Sequence, residues 1–327
     1  MTIPVELILI CLSPIFFIFI GWEWLHSVRQ KLPRYQWQDS LANMCLAAMH
    51  QAGDALSLLL LLPVFYWVSQ HALWQIEFSW MALVALFLLQ DFLYYWFHRA
   101  SHRVRWLWAS HVVHHSSRLM NFSTAFRQSL TYPISGMWLF WLPLVWIGFD
   151  VSLVLAVVAI NLAFQFFVHT QHGRYWGWLG YVLNTPAVHR VHHACNPEYI
   201  DRNFAGVLVI WDRLFGTYQA ELAPCRFGIT DDFTSTNPIT ITFYEWRKMW
   251  WLWPRLPSAA DRWQLLFGAP ERFAEQSAEF TGQLTAAAHA QCHDEVMGKA
   301  IADDGLMPAE SLPLTDKSSE SVAKNPT

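Results

Sequence analysis

Five stretches of this chain run nearly free of charge for lengths that a membrane would cover. Spanning a hydrocarbon core as helix takes about 20 mostly apolar residues. Residues 5–22, 43–69, 80–97, 133–148 and 151–168 approach that requirement. The first has Glu6 near its start, but no Lys or Arg precedes it and no small-residue cleavage site follows, so it reads as a retained span rather than a signal peptide. The second holds His50 and Asp54 within the run and is expected to be short, tilted or partly re-entrant. Only Phe149 and Asp150 separate the fourth from the fifth, which makes that pair a tight hairpin. With 54% hydrophobic and 14% charged residues, the chain lies far from a disordered composition. Its formal net charge of −4 argues against a nucleic-acid partner.

Cations orient the set. No Lys or Arg precedes Arg29, none lies between Leu41 and Phe97, and none between Gln128 and His172. Those of the first 190 residues gather at 29–34, 99–127 and 174–190, after spans one, three and five. The positive-inside rule then puts the amino terminus outside and these loops in the cytoplasm. The expected fold is all-α: a multi-pass membrane helical bundle of four or five spans under a cytoplasmic cap. Residues 1–230 form the membrane-embedded unit, with the cap at 98–127 and 169–219. Residues 231–280, where Trp246, Trp250, Trp251, Trp253 and Trp263 mix with basic residues, read as an interfacial helical region. The Ala-, Ser- and Asp-rich tail, 281–327, is expected to be disordered. The cysteines are scattered and odd in number, which argues against a disulfide framework.

Ten of the 15 histidines lie between His98 and His193. Eight form three boxes: HRASH at 98–102, HVVHH at 111–115 and HRVHH at 189–193. His98 and His102, His111 and His115, and His189 and His193 are each spaced i, i+4, which puts both members of a pair on one helix face. Such a pair can reach a single ion at about 2.0–2.1 Å. One H-x-x-x-H pair is a weak signal. Three boxes on one side of a membrane, with His114 and His192 completing two H-x-x-H-H patterns, are a strong one. Scattered interfacial histidines would also appear in the outer loops, where His71 stands alone. His26, His50, His71, His289 and His293 have no patterned partners and are not expected to be ligands. Eight imidazoles exceed one tetrahedral site, so two metal ions are expected. Imidazole suits iron, zinc, copper and nickel alike. No H-E-x-x-H motif supplies the general base of a zinc protease.

The boxes, together with DFLYYWFHRASH (91–102), LWASHVVHHSS (107–117), NFSTAFRQS (121–129), NTPAVHRVHHACNPEYIDRNFAG (184–206) and IWDRLFGTYQAE (210–221), resemble the fatty acid hydroxylase superfamily over about 80–230. Within it, the alkylglycerol monooxygenase-like branch is the nearest in pattern. The resemblance implies a membrane-bound non-haem di-iron monooxygenase or hydroxylase that oxidises a lipid C–H bond with O2. Ether-lipid cleavage is the reaction of that branch. It also implies two ferrous ions, and an external reductant that is either tetrahydrobiopterin or an electron-transfer protein. His98, His102, His111, His114, His115, His189, His192 and His193 take the ligand positions, and His169 matches a ninth. Arg118 and Gly180 depart from the pattern, which often has Glu at both places. A sterol or fatty-acyl desaturase is the nearest alternative. A non-enzymatic metal-binding membrane protein is the alternative of another class, and it would place metal-binding residues deep within several spans.

Neighbours complete the candidate site. His172 stands three residues beyond His169. Asp91, an acid inside span three, is expected to orient a ligand histidine or bind a helix partner. Asn184 and Asp201 flank the third box, where turn formation is as good a reading. Arg99, Arg118 and Arg127 are candidates for contact with a lipid headgroup or an electron donor.

Overall fold

The computed structural model describes residues 5–173, 176–231 and 233–282. Helices dominate in chain order: α1 (Val5–Arg29), α2 (Trp37–Gln70), α3 (Trp80–Arg103), α4 (Arg105–His115), α5 (Tyr132–Ser135), α6 (Leu142–Ile147), α7 (Val151–Phe166), α8 (Pro186–His192), α9 (Ile210–Leu214), α10 (Pro238–Leu252) and α11 (Ala259–Phe267). The β-structure among the described residues consists of two isolated bridges, Leu183 with Leu208 and Ala194 with Phe227. The all-α expectation holds. The tail expected to be disordered lies almost wholly outside the described residues, as do His289, Cys292 and His293.

Three helices, α1, α2 and α3, are long and apolar enough to cross a membrane. The second run is no short or re-entrant segment: α2 is the longest helix, with 34 residues. The expected fourth and fifth runs take another form. Residues 133–148 break into α5, a 3-10 turn at Met137–Phe140, and α6. The break falls at Gly136, whose φ of 86° is left-handed, and at Pro143 in the first turn of α6. The α7 helix has 16 residues, about 24 Å of rise against a core of about 30 Å. The tight hairpin between α6 and α7 is present. Gly148 turns it at φ 127°, and Asp150 caps α7 by accepting from the Leu153 amide at 3.0 Å. A Cβ on Gly148 would lie 2.2 Å from the Trp74 carbonyl oxygen, so the α2–α3 connection packs directly on the glycine.

The largest apolar cluster unites these elements: Phe65 of α2, Leu86 and Phe97 of α3, Leu144 and Val145 of α6, and Val154 of α7. Many other large apolar side chains face outward, among them Leu59, Leu60, Trp80 and Met81, each more than two-thirds exposed. Outward apolar faces on three long helices make this an integral membrane protein.

Asp91 is fully buried inside α3, and its carboxylate is taken up by four donors. Its Oδ1 accepts from the Val207 amide and Asn161 Nδ2, both at 2.9 Å, and its Oδ2 from the Leu208 amide at 3.0 Å and Trp211 Nε1 at 2.9 Å. The expectation that it orients a ligand histidine is therefore corrected to the other one, a packing partner. Seven residues at about 1.5 Å each put Asp91 roughly 10 Å below His98 along α3. The 204–211 loop, expected wholly in the cap, thus descends beside α3 to the depth of its middle turns. Non-helical backbone at such depth needs protein partners, and the carboxylate supplies them. Gly206 permits the approach: a Cβ there would meet Asn161, Tyr94 and Asp91 at 2.7–3.0 Å. Replacing Asp91 by Asn swaps one acceptor for a donor facing donors. It should lower stability by about 2 kcal/mol or more, read as a reduced midpoint of thermal unfolding in detergent. An unchanged midpoint would remove this role from Asp91.

Candidate metal centre

Three structural devices turn the boxes inward. The α3 helix carries His98 and His102 in its last two turns, and α4 carries His111, His114 and His115 in its last turns. The α8 helix starts sharply, with Thr185 at its N-cap and Pro186 in the first turn, so that His189, His192 and the capping His193 leave it together. His169 follows the end of α7, where its amide donates to the Phe166 carbonyl at 3.2 Å.

Nine histidines gather into two groups. His98, His102, His111, His115 and His192 form one, and His114, His169, His189 and His193 form the other, with ligand atoms in each lying within 4.8 Å of one another. These are the eight box histidines and His169. His172 joins neither group. Its Nε2 lies 2.7 Å from Arg34 Nη1 and 4.0 Å from Glu23, in a cluster that ties α1 to the segment after α7. His26, His50 and His71 also lie outside both groups.

The two imidazoles of His114 and His169 show what the groups can do. His114 Nδ1 donates to the Arg127 carbonyl at 3.2 Å, and His169 Nδ1 to the Gln165 carbonyl at 2.6 Å. A backbone carbonyl only accepts, so the single proton of each neutral ring sits on Nδ1 and each Nε2 is a bare lone pair. Those lone pairs face each other at 3.0 Å. They repel unless a cation lies between them. His98 repeats the pattern, with Nδ1 on the Phe204 carbonyl at 2.9 Å and Nε2 at 3.0 Å from His111 Nε2. His192 Nδ1 donates to the Arg202 carbonyl at 3.0 Å, and its buried Nε2 has no hydrogen-bond partner, nor has that of His102.

The spacing also fits. Two nitrogens about 2.0–2.1 Å from one ion stand about 2.9 Å apart at a right angle and about 3.4 Å apart at the tetrahedral angle. The Nε2 pairs His98–His111, His111–His115, His114–His169, His169–His189 and His189–His193 are all 3.0–3.1 Å apart. That is the spacing of neighbouring ligands on a shared ion, nearer the right angle.

Burial first, and then the fields of neighbouring rings, push the His111, His114, His115, His189, His192 and His193 imidazoles well below their usual range. Burial alone carries His169 down to about 4. Both groups therefore present neutral lone pairs at neutral pH, the state that binds metal.

Residues 83–217 match the family described as fatty acid hydroxylase. That segment belongs to the family. Among its relatives, an alkylglycerol monooxygenase of Homo sapiens is 39% identical over 60% of this chain and 43% of its own length. One from Danio rerio is 35% identical over 71% of this chain and 52% of its own. An ornithine lipid hydroxylase of Rhizobium tropici is 29% identical over 50% of this chain and 49% of its own. The chain thus spans about half the length of the curated relatives it matches. No solved structure matches it.

Within the fatty acid hydroxylase segment, the neighbours fall into distinct roles. Asp201 Oδ1 lies 3.6 Å from His102 Nδ1, and its other oxygen pairs with Arg103 Nε at 3.2 Å. Asn184 reaches no histidine and instead binds the Ala205 and Gly206 carbonyls at 2.9 and 3.1 Å. Arg127 is corrected: at 1% exposure it meets no headgroup. It pairs with Asp39 at 3.3 Å and donates to Asn43 and to the end of α4 at Val113, which holds its own carbonyl under His114. Arg99 is half-buried on Tyr95 and Trp96, while Arg118 is exposed. One partner escaped the sequence reading. The buried Tyr132 hydroxyl lies 2.7 Å from His111 Nδ1, and a tyrosine in an apolar run gives no sign of it.

Protons and metal compete for the same lone pairs. Because the imidazoles are held below the usual value of about 6.5, a proton displaces metal only at lower pH than at an ordinary histidine cluster. Bound metal should stay on the protein through pH 6 and leave only at lower pH. Dialysis at stepped pH followed by elemental analysis reads this, and release complete at pH 6 would contradict it.

Proposed function

We propose that the protein is a lipid hydroxylase, a membrane-bound oxidoreductase in which the nine histidines hold two iron ions. The observation that carries this reading is the pair of bare lone pairs on His114 and His169, 3.0 Å apart and each fixed by a carbonyl behind it. His98, His102, His111, His115 and His192 hold one ion, and His114, His169, His189 and His193 the other. The relatives' names supply the class of substrate: an alkylglycerol in one case, an ornithine lipid in the other. Both are lipids with a polar head, which suits a site reached from three apolar helices. Iron bound there supplies O2 activation and insertion of one oxygen into a C–H bond.

The chain's own residues perform the rest. Carbonyls of Arg127, Gln165, Arg202 and Phe204 fix the tautomer and direction of His114, His169, His192 and His98. Burial keeps the rings neutral, and the Trp108 and Phe204 rings pack against His102 and limit water there. The cations at Arg29–Arg34 and Arg99–Arg127 support a cytoplasmic face for this end of the helices. The exposed rings of Trp250, Trp253 and Trp263 fit residues 231–280 as a region at headgroup level.

Replacing His114 by Ala should reduce lipid oxidation to below about one hundredth while the chain still inserts into the membrane. Mass spectrometry of cell lipids with 18O2 measures this, since the wild-type product carries one labelled oxygen. Retained labelling in the variant would refute the reading.

A further inference from the structure

The cap carries large apolar side chains where a surface facing water would carry charge. Trp178 and Tyr181, in the 3-10 helix Gly177–Tyr181, are 74% and 67% exposed, and Leu214 at the end of α9 is 69% exposed. Trp176 and Val182 stand exposed beside them. Soluble surfaces scatter such residues singly, whereas these crowd two adjoining segments.

Backbone bonds join the two segments and set their depth. Leu183 and Leu208 form a bridge, the Val209 amide donates to the Val182 carbonyl at 2.9 Å, and the Asn184 amide donates to the Val207 carbonyl at 2.7 Å. Asp91 takes the Val207 and Leu208 amides, which holds the pair roughly 10 Å below His98 along α3. These backbone groups are spent on protein, and side chains face outward. The α9 helix then lies on α3: Trp211 and Phe215 have ring centres 5.2 and 6.3 Å from that of Phe92, and Phe215 is 5.1 Å from Trp96. Leu88, Phe92 and Trp96 share one face of α3 at i, i+4 spacing, where Leu88 and Trp96 are exposed. The apolar surface of the cap thus adjoins the lipid-facing side of a spanning helix.

Two arginines edge this surface. The Arg99 guanidinium lies 5.5 Å from the centre of the Trp96 ring, and that of Arg213 lies 3.9 Å from Tyr218 and 5.1 Å from Tyr181. Rings that carry guanidinium groups suit the layer of lipid headgroups, where an apolar body and a charged tip are both satisfied. Non-helical chain that faces lipid is excluded from the hydrocarbon itself, so the surface belongs at its boundary. We propose that residues 176–182 and α9 form a wedge seated in the headgroup layer of the leaflet nearest the histidine groups. Its partner is the lipid surface, because the helix face it adjoins is itself covered by lipid. The wedge leads directly into Thr185 and α8, which carries His189 and His192. Lipid contact therefore steadies the third histidine box from outside the spanning helices. This inference concerns where the cap sits and is independent of the hydroxylase reading.

The test is photo-crosslinking of the full chain in phosphatidylcholine nanodiscs doped with a phosphatidylcholine that carries a diazirine next to its headgroup. Mass spectrometry of the peptides then locates lipid adducts. Adducts are expected on residues 176–182 and on Leu214, at a yield comparable to that on α3 and at least about 10-fold above that on Glu198, an exposed charged residue of the same cap. Replacing both Trp178 and Tyr181 by Glu should cut the yield on 176–182 by at least about 10-fold and leave that on α3 unchanged. Both side chains are exposed, so the interior is undisturbed. A yield on 176–182 no higher than on Glu198 overturns the proposal. So does a yield that the double substitution does not change, or a second protein chain linked to Trp178 in place of lipid.

Discussion

Neutral imidazoles turned toward one another are the constraint on which this structure depends. Each ring is buried, so it cannot charge without losing solvation, and several have spent their only proton on a carbonyl behind them. What remains between His114 and His169 is two lone pairs 3.0 Å apart that repel until a cation joins them, and the His98–His111 and His169–His189 nitrogens stand equally close. The folding problem is therefore to hold nine rings in a geometry that is unfavourable by itself. Arg127 shows how. Buried and paired with Asp39, it grips the end of α4 through its guanidinium and orients His114 through its carbonyl. Phe204 does the same for His98 from a loop that Asp212 secures, the carboxylate accepting from the Phe204 and Ala205 amides at 2.7 and 2.9 Å. Burial raises the pKa of that carboxyl to about 6.

The membrane and the metal site meet at Asp91. An acid inside a spanning helix suggests chemistry, yet here it satisfies backbone amides of a loop that descends beside α3. That loop carries Phe204, so the buried acid influences the centre indirectly, by fixing the strut behind His98. The same helix thus carries both the ligand pair and the anchor of the segment that orients it. Polar groups at membrane depth pair with one another: Asn161 joins Asp91 to Gln90, and Tyr94 donates to Gln165.

Much of this was legible in the sequence, and the limits have physical causes. Helical period and the i, i+4 rule put His98 with His102 and His189 with His193 because those pairs are local. How the boxes divide between two ions is not local: His115 sits with His102 and His192, while its neighbour His114 sits with His169 and His193. Adjacent residues on a helix point about 100° apart, and only the tertiary arrangement decides what each meets. Arg127 was misread because its charge suggested a surface, whereas Asp39, 88 positions away, brings it inside. The orienting carbonyls were invisible because every residue carries one. The fourth apolar run was long enough to suggest a spanning helix, and Gly136 and Pro143 broke it.

A metal count on the purified chain tests the central claim most directly. Elemental analysis of protein from iron-replete cells should find two iron ions per chain, one for each histidine group. A single ion per chain, or a correctly folded chain that binds none, would contradict the account.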